Sequence, residues 1–125
     1  MYFGGQLYCN LFVDADDTAQ FCRDAGLRLC LDISHSKLTS NYRRESFTGF
    51  VEKVGKYVAY LHIVDAAGVD GEGLQIGEGE IDFTELARSL DRLCPDASFI
   101  PEIWQGHKQG GEGFWIALER LEGKF

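Results

Sequence analysis

The 125-residue sequence is poor in basic residues. Lys and Arg number 12 against 20 Asp and Glu, for a formal net charge of −8 and a pI near 4.7. That average field repels polyanions, and nucleic-acid binders gather Lys and Arg into a patch. The one dense basic spot, Arg43-Arg44 with Lys37 nearby, reads as a solvated loop. Nucleic acid is therefore not expected as a partner. The four cysteines, Cys9, Cys22, Cys30 and Cys94, show no CxxC spacing and no zinc-finger ladder of Cys and His. Cys22, Cys30 and Cys94 sit in apolar runs, which predicts buried, reduced thiols and a cytoplasmic setting. No apolar run approaches the ~18 residues of a membrane span. The opening MYFGGQLYCN lacks the basic and apolar segments of a secretory leader. GxGxxG and Walker spacings are also missing, so a nucleotide-type phosphate loop is not expected.

What is present is an ordinary globular composition, 45% hydrophobic and 26% charged. A chain of this length can bury roughly two-thirds of its unfolded surface. Short apolar runs alternate with amphipathic stretches. Residues 14–25 read as a helix, with Asp14 at its start, Asp16 and Asp17 at its positive end and Gly26 stopping it. LRLCLDI at 27–33 reads as a buried strand, followed by a polar loop over 34–44. A second helix is expected over 46–57, with Phe47, Phe50, Val51 and Val54 on one stripe.

VAYLHIV at 58–64 is the second strand. The glycine-rich stretch 65–79 reads as a long loop. The third helix spans 82–93, with Asp82 and Glu85 at capping-box spacing and Leu86, Leu90 and Leu93 as its apolar stripe. SFIPEIW at 98–104 is the third strand. Residues 110–113 form a loop and 114–122 a last helix. A fourth strand is conceivable near 7–13. Strands alternating with helices of this length predict an α/β fold with a parallel sheet buried on both faces. The βα unit recurs about every 32 to 39 residues, as in a barrel or a doubly wound sheet.

Polar groups collect at one place in each unit, the carboxyl end of the strand. The first strand ends in Asp32, with His35 beyond it. The second carries His62 and ends at Asp65. The third carries Glu102, with His107 following. In parallel α/β folds ligands bind at this rim. An Asp, His and Glu set suits a divalent ion such as Zn²⁺, Mn²⁺, Co²⁺ or Mg²⁺. Each residue also has a plain structural explanation. His62 alone would be a core histidine, Asp32 a turn cap, and Glu102 the partner of a Lys in a barrel layer. Three in register favour a site. The GEGEIDF stretch reads as mainly structural, a tight turn leading to the Asp82 cap. Trp104, Tyr2 and Phe3 are candidates to line a pocket, whereas Trp115 is expected to pack on the core or a helix.

The segments LCLDISHS, YLHIVDAAG, LQIGEGEIDF and IPEIWQG resemble the xylose-isomerase-like (AP-endonuclease family 2) barrel over about residues 20–122. Its members include sugar epimerases, hexulose isomerases, inosose dehydratases and repair endonucleases. The resemblance implies a partial (β/α)8 TIM barrel, with 1–125 the C-terminal portion of one barrel domain. It implies metal binding by Asp32, His62 and Glu102, with Glu102 also moving a proton. His35 would bind substrate and assist catalysis, with Trp104 and His107 as further substrate contacts. Asp65 would orient His62 or its loop. The substrate would be a sugar or sugar phosphate, and the chemistry isomerisation or epimerisation.

Three departures qualify the resemblance. The family's further metal-binding Glu, on an earlier strand, would fall upstream of Met1. Where the nucleases carry an Asp-x-His pair, this sequence reads Asp70-Gly71-Glu72. No Arg occurs between Asp65 and Ile81, where the epimerases often have one. The other expectations left open are an AP-endonuclease-like phosphodiesterase and a degenerate module that binds sugar or a partner without turnover. The missing strands imply either an N-terminal barrel half or self-association through open sheet edges.

Overall fold

A computed structural model describes residues 12–125. The expected strand near 7–13 falls for the most part outside these residues, as do Tyr2, Phe3 and Cys9. The elements run α1 (Ala15–Ala25), β1 (Leu29–Asp32), α2 (Ile33–Arg43), α3 (Phe47–Val54), β2 (Val58–Ile63), β3 (Asp65–Ala67), β4 (Gly71–Leu74), α4 (Phe83–Leu93), β5 (Ser98–Pro101) and α5 (Lys108–Leu121). A 3-10 turn, Gly55–Tyr57, joins α3 to β2.

The main sheet has the order β1-β2-β5, and both pairings are parallel. Each strand lies beside the one before it. Helices α2 and α3 cross from β1 to β2, and α4 crosses from β2 to β5. This is an arc of βα units in barrel progression, without the reversal of strand order that marks a doubly wound sheet.

The caps explain where the helices begin. Asp14 accepts hydrogen bonds from Asp16 N at 2.8 Å and Asp17 N at 3.0 Å. Gly26, at φ 65°, ends α1 in the left-handed conformation. Asp82 does the same work for α4 through Thr84 N and Glu85 N. The expected capping box is not reciprocal, because Glu85 instead accepts from the Thr48 hydroxyl of α3. Val51, Val54, Val58, Leu61, Ile63, Leu86 and Leu90 meet in one core between helices and sheet. Each such side chain stabilises the fold by about 1.5–3 kcal/mol when fully buried.

Several expectations need correction. Residues 34–44 are not a loop, since α2 starts directly after β1. Asp32 caps it, and the hydroxyls of Ser36, Thr39 and Ser40 donate to carbonyls one turn back, at 2.6–2.8 Å. A polar sequence thus satisfies itself inside a helix. Arg43 is not a solvated loop residue either. It holds Asp14 Oδ2 at 2.7 Å and Glu45 Oε1 at 3.1 Å, tying the end of α2 to the start of α1.

The stretch 65–79 contains an antiparallel hairpin, β3 with β4. The sheet is not buried on both faces, because Cys30, Ala59, Ser98 and Ile100 are exposed and no described element covers them. Cys22 and Cys94 are buried as expected, whereas Cys30 is not. Trp115 is 68% exposed rather than packed. Among the described residues no helix is long and apolar enough to cross a membrane.

Candidate metal centre

Asp32 is the last residue of β1 and the cap of α2 at once. Its Oδ1 accepts from His35 N at 2.9 Å. A capping side chain reaches the backbone N–H three residues on, which accounts for the D-x-x-H spacing and places His35 beside its Asp. With Oδ1 so engaged, Oδ2 lies 3.5 Å from His62 Nδ1 and 4.0 Å from His35 Nε2. The register of β1 and β2 pairs Asp32 with His62 directly.

Glu102 follows the end of β5, its N–H held by the Ile63 carbonyl at 3.1 Å. Its Oε2 lies 2.9 Å from His62 Nδ1. One ligand atom from each of Asp32, His62 and Glu102 lies within 4.8 Å of the others. The His62–Asp32 and His62–Glu102 separations, 3.5 and 2.9 Å, bracket the ~3.0–3.4 Å between donors that metal bonds of ~2.1 Å require.

The electrostatics favour a cation there. Burial, and then the neighbouring Glu102 carboxylate, push the Asp32 carboxyl up to about 6, with His62 opposing them. Two acids sharing a half-buried site repel each other. A divalent ion relieves that repulsion, and the donor set of one imidazole and two carboxylates suits Zn²⁺ or Mn²⁺. The residues present fit the ion.

The trio opens into a cleft of about 390 Å³ whose lining also includes Ser34, His35, Glu72, Gly73 and Trp104. Glu72, on β4, faces His35 Nε2 at 3.5 Å. Trp104 is 74% exposed at the wall, and its backbone N–H donates to the Gly73 carbonyl at 2.9 Å. The Ser34 hydroxyl and His35 Nδ1 are buried without a partner among the described residues. Sequence reasoning missed Ser34 and did not assign Glu72. The available signal for Glu72 was its place in Asp70-Gly71-Glu72, opposite the histidine of the nuclease pattern.

Two candidates stand elsewhere. His107 is exposed at the start of α5 and does not line the cleft. The chain turns away after Trp104, since Gln105 sits at φ 56° and residues 109–111 also have positive φ. Asp65 is fully buried, yet its carboxylate binds the following loop rather than His62. It accepts from Ala66, Gly77, Gly79 and Ile81 N–H groups at 2.8–3.1 Å. A Cβ on Gly79 would collide with that carboxylate. The GEGEI segment is therefore wrapped around Asp65, and its structural reading stands.

Comparison with curated proteins and with solved structures returned no match. A family profile, described as the xylose isomerase-like TIM barrel, matches residues 3–122. The sequential parallel strands agree with it. The chain belongs to the xylose isomerase-like TIM barrel family, which includes sugar isomerases and epimerases and AP-endonuclease-like enzymes.

Proposed function

We propose that residues 1–125 form the C-terminal portion of a barrel that isomerises or epimerises a sugar with the help of a divalent cation. The observation that carries this reading is the convergence of Asp32, His62 and Glu102 at neighbouring strand ends. Asp32, His62 and Glu102 would hold the ion. When bound, it supplies Lewis acidity toward a substrate oxygen.

The chain's own groups divide the remaining work. Glu102 is half exposed, with a side-chain exposure of 51%, so its carboxylate reaches the cleft. It takes a proton from the carbon beside the substrate carbonyl and returns one. His35, on the first turn of α2, meets a substrate hydroxyl through Nε2. Trp104 forms a wall of the cleft. A net charge of −8, and a lining without Lys or Arg among the described residues, speak against nucleic acid as substrate. The free thiols Cys22, Cys30 and Cys94 support a cytoplasmic setting.

The test is incubation with ketoses and a divalent cation in heavy water, with NMR detection of deuterium beside the carbonyl. Incorporation that needs the cation and disappears in Glu102→Gln supports the reading. Cation-dependent cleavage of an abasic-site duplex, with no deuterium uptake, would replace it by a phosphodiesterase.

A further inference from the structure

Building on that reading, we infer that the substrate is an uncharged polyhydroxy sugar, and that Glu72 selects it against a sugar phosphate. The described lining of the cleft carries three carboxylates, Asp32, Glu72 and Glu102, and neither Lys nor Arg. Phosphate esters are held by guanidinium or ammonium groups. A cation on the trio would offset Asp32 and Glu102. Glu72 lies outside that trio, on the hairpin, with a side chain 40% exposed. Its carboxylate, facing the His35 imidazole at 3.5 Å, stands on the wall that a phosphate would have to approach.

The same group is well placed for neutral hydroxyls. A carboxylate only accepts, whereas an imidazole both donates and accepts. The Glu72–His35 pair, 3.5 Å apart, presents both functions to adjacent sugar hydroxyls. Ser34 gives independent support. It is 1% exposed, its Oγ has no partner among the described residues, and it lines this cleft. Buried hydroxyls are nearly always hydrogen-bonded, and a sugar hydroxyl supplies the missing partner.

Trp104 completes the fit. The Trp104 backbone N–H donates to Gly73 O in β4, and a Cβ at Gly73 would come within 2.9 Å of Trp104 Cβ, so the two segments run in close contact. Glu72 and Trp104 are thus held on one wall. An amphipathic indole face suits the C–H face of a sugar ring, with hydroxyls reaching past it to polar groups.

The test uses the full chain in saturating Zn²⁺, with saturation-transfer NMR and a panel of probes. The panel comprises free ketopentoses, ketohexoses and cyclitols, with the 1- and 6-phosphates of the ketohexoses. We expect at least one free sugar to bind about tenfold or more tighter than its phosphate. Glu72→Gln should weaken that sugar and narrow the gap, and leave cation affinity by calorimetry unchanged. Phosphates binding as tightly as free sugars, or no free sugar binding at all, overturns the inference. Cation binding that survives this result leaves the isomerase reading standing. Loss of both cation and sugar binding removes the two together.

Discussion

Asp32 and His35 are joined by a 2.9 Å hydrogen bond from the histidine N–H to Oδ1, while Oδ2 of the same carboxylate faces His62 at 3.5 Å. One side chain therefore starts a helix and lines the cleft. The two duties are separable, because Asn keeps the capping oxygen and loses the charge. In the cation-free protein Asp32 is raised to about 6 from 3.8. The folded state thus binds the proton more tightly than the unfolded state. Stability falls as pH rises from about 4 through 6, and the penalty persists above. Asp32→Asn should stabilise the cation-free protein by about 1–3 kcal/mol at pH 7, with the gain vanishing below about pH 4. Urea unfolding at several pH values checks this.

Asp65 is fully buried and accepts from four backbone N–H groups. Asp65→Ala leaves those donors without a partner in a dry site. We expect a loss of about 3–5 kcal/mol, a large share of a typical domain's stability. Asp65→Asn should cost less. Gly79→Ala should also destabilise, since the added methyl meets the same carboxylate. Chemical denaturation of the three variants tests the ranking.

Asp14 caps α1 and pairs with Arg43 at 2.7 Å. The N–H of Asp17 lowers its carboxyl most, and with the N–H of Asp16 and the Arg43 charge it outweighs the opposing cost of burial. A lowered acid contributes stability above its unfolded pKa and loses it as pH falls through the folded value. Asp14→Ala should cost about 1 kcal/mol at neutral pH and lose its effect in acid. Thermal melts at pH 7 and pH 3 read the difference.

Cys30 is exposed on the sheet face, whereas Cys22 and Cys94 are buried. Iodoacetamide applied to the folded protein, followed by peptide mass mapping, should label Cys30 and spare Cys22 and Cys94 until denaturant is added. Equal labelling of the three would contradict the packing of α1 and α4 against the core.

Much of this architecture is legible in the residues, for stated reasons. The α1 and α4 boundaries follow from Asp14, Gly26 and Asp82, because caps act through local geometry. The three strands follow from β-rich apolar runs, and the D-x-x-H motif already encodes a cap that brings His35 to Asp32. Helix α2 was hidden because its Ser and Thr hydroxyls read as loop, although they bond to carbonyls of their own helix. The β3–β4 hairpin was hidden by glycines that look like a structureless loop. Exposure of Cys30 depends on what lies across the sheet, which a local apolar run does not reveal. The pairing of Glu72 with His35 is tertiary, between residues 37 positions apart. His107 lies near Glu102 in sequence, yet the chain turns away and His107 does not line the cleft.

Asp32, His62 and Glu102 together are expected to hold one cation, and calorimetric titration with Zn²⁺ or Mn²⁺ tests that most directly. We predict one ion per chain, with affinity lowered about tenfold or more in each of Asp32→Ala, His62→Ala and Glu102→Ala. No binding by the wild-type chain, or binding that none of the three substitutions weakens, would contradict it.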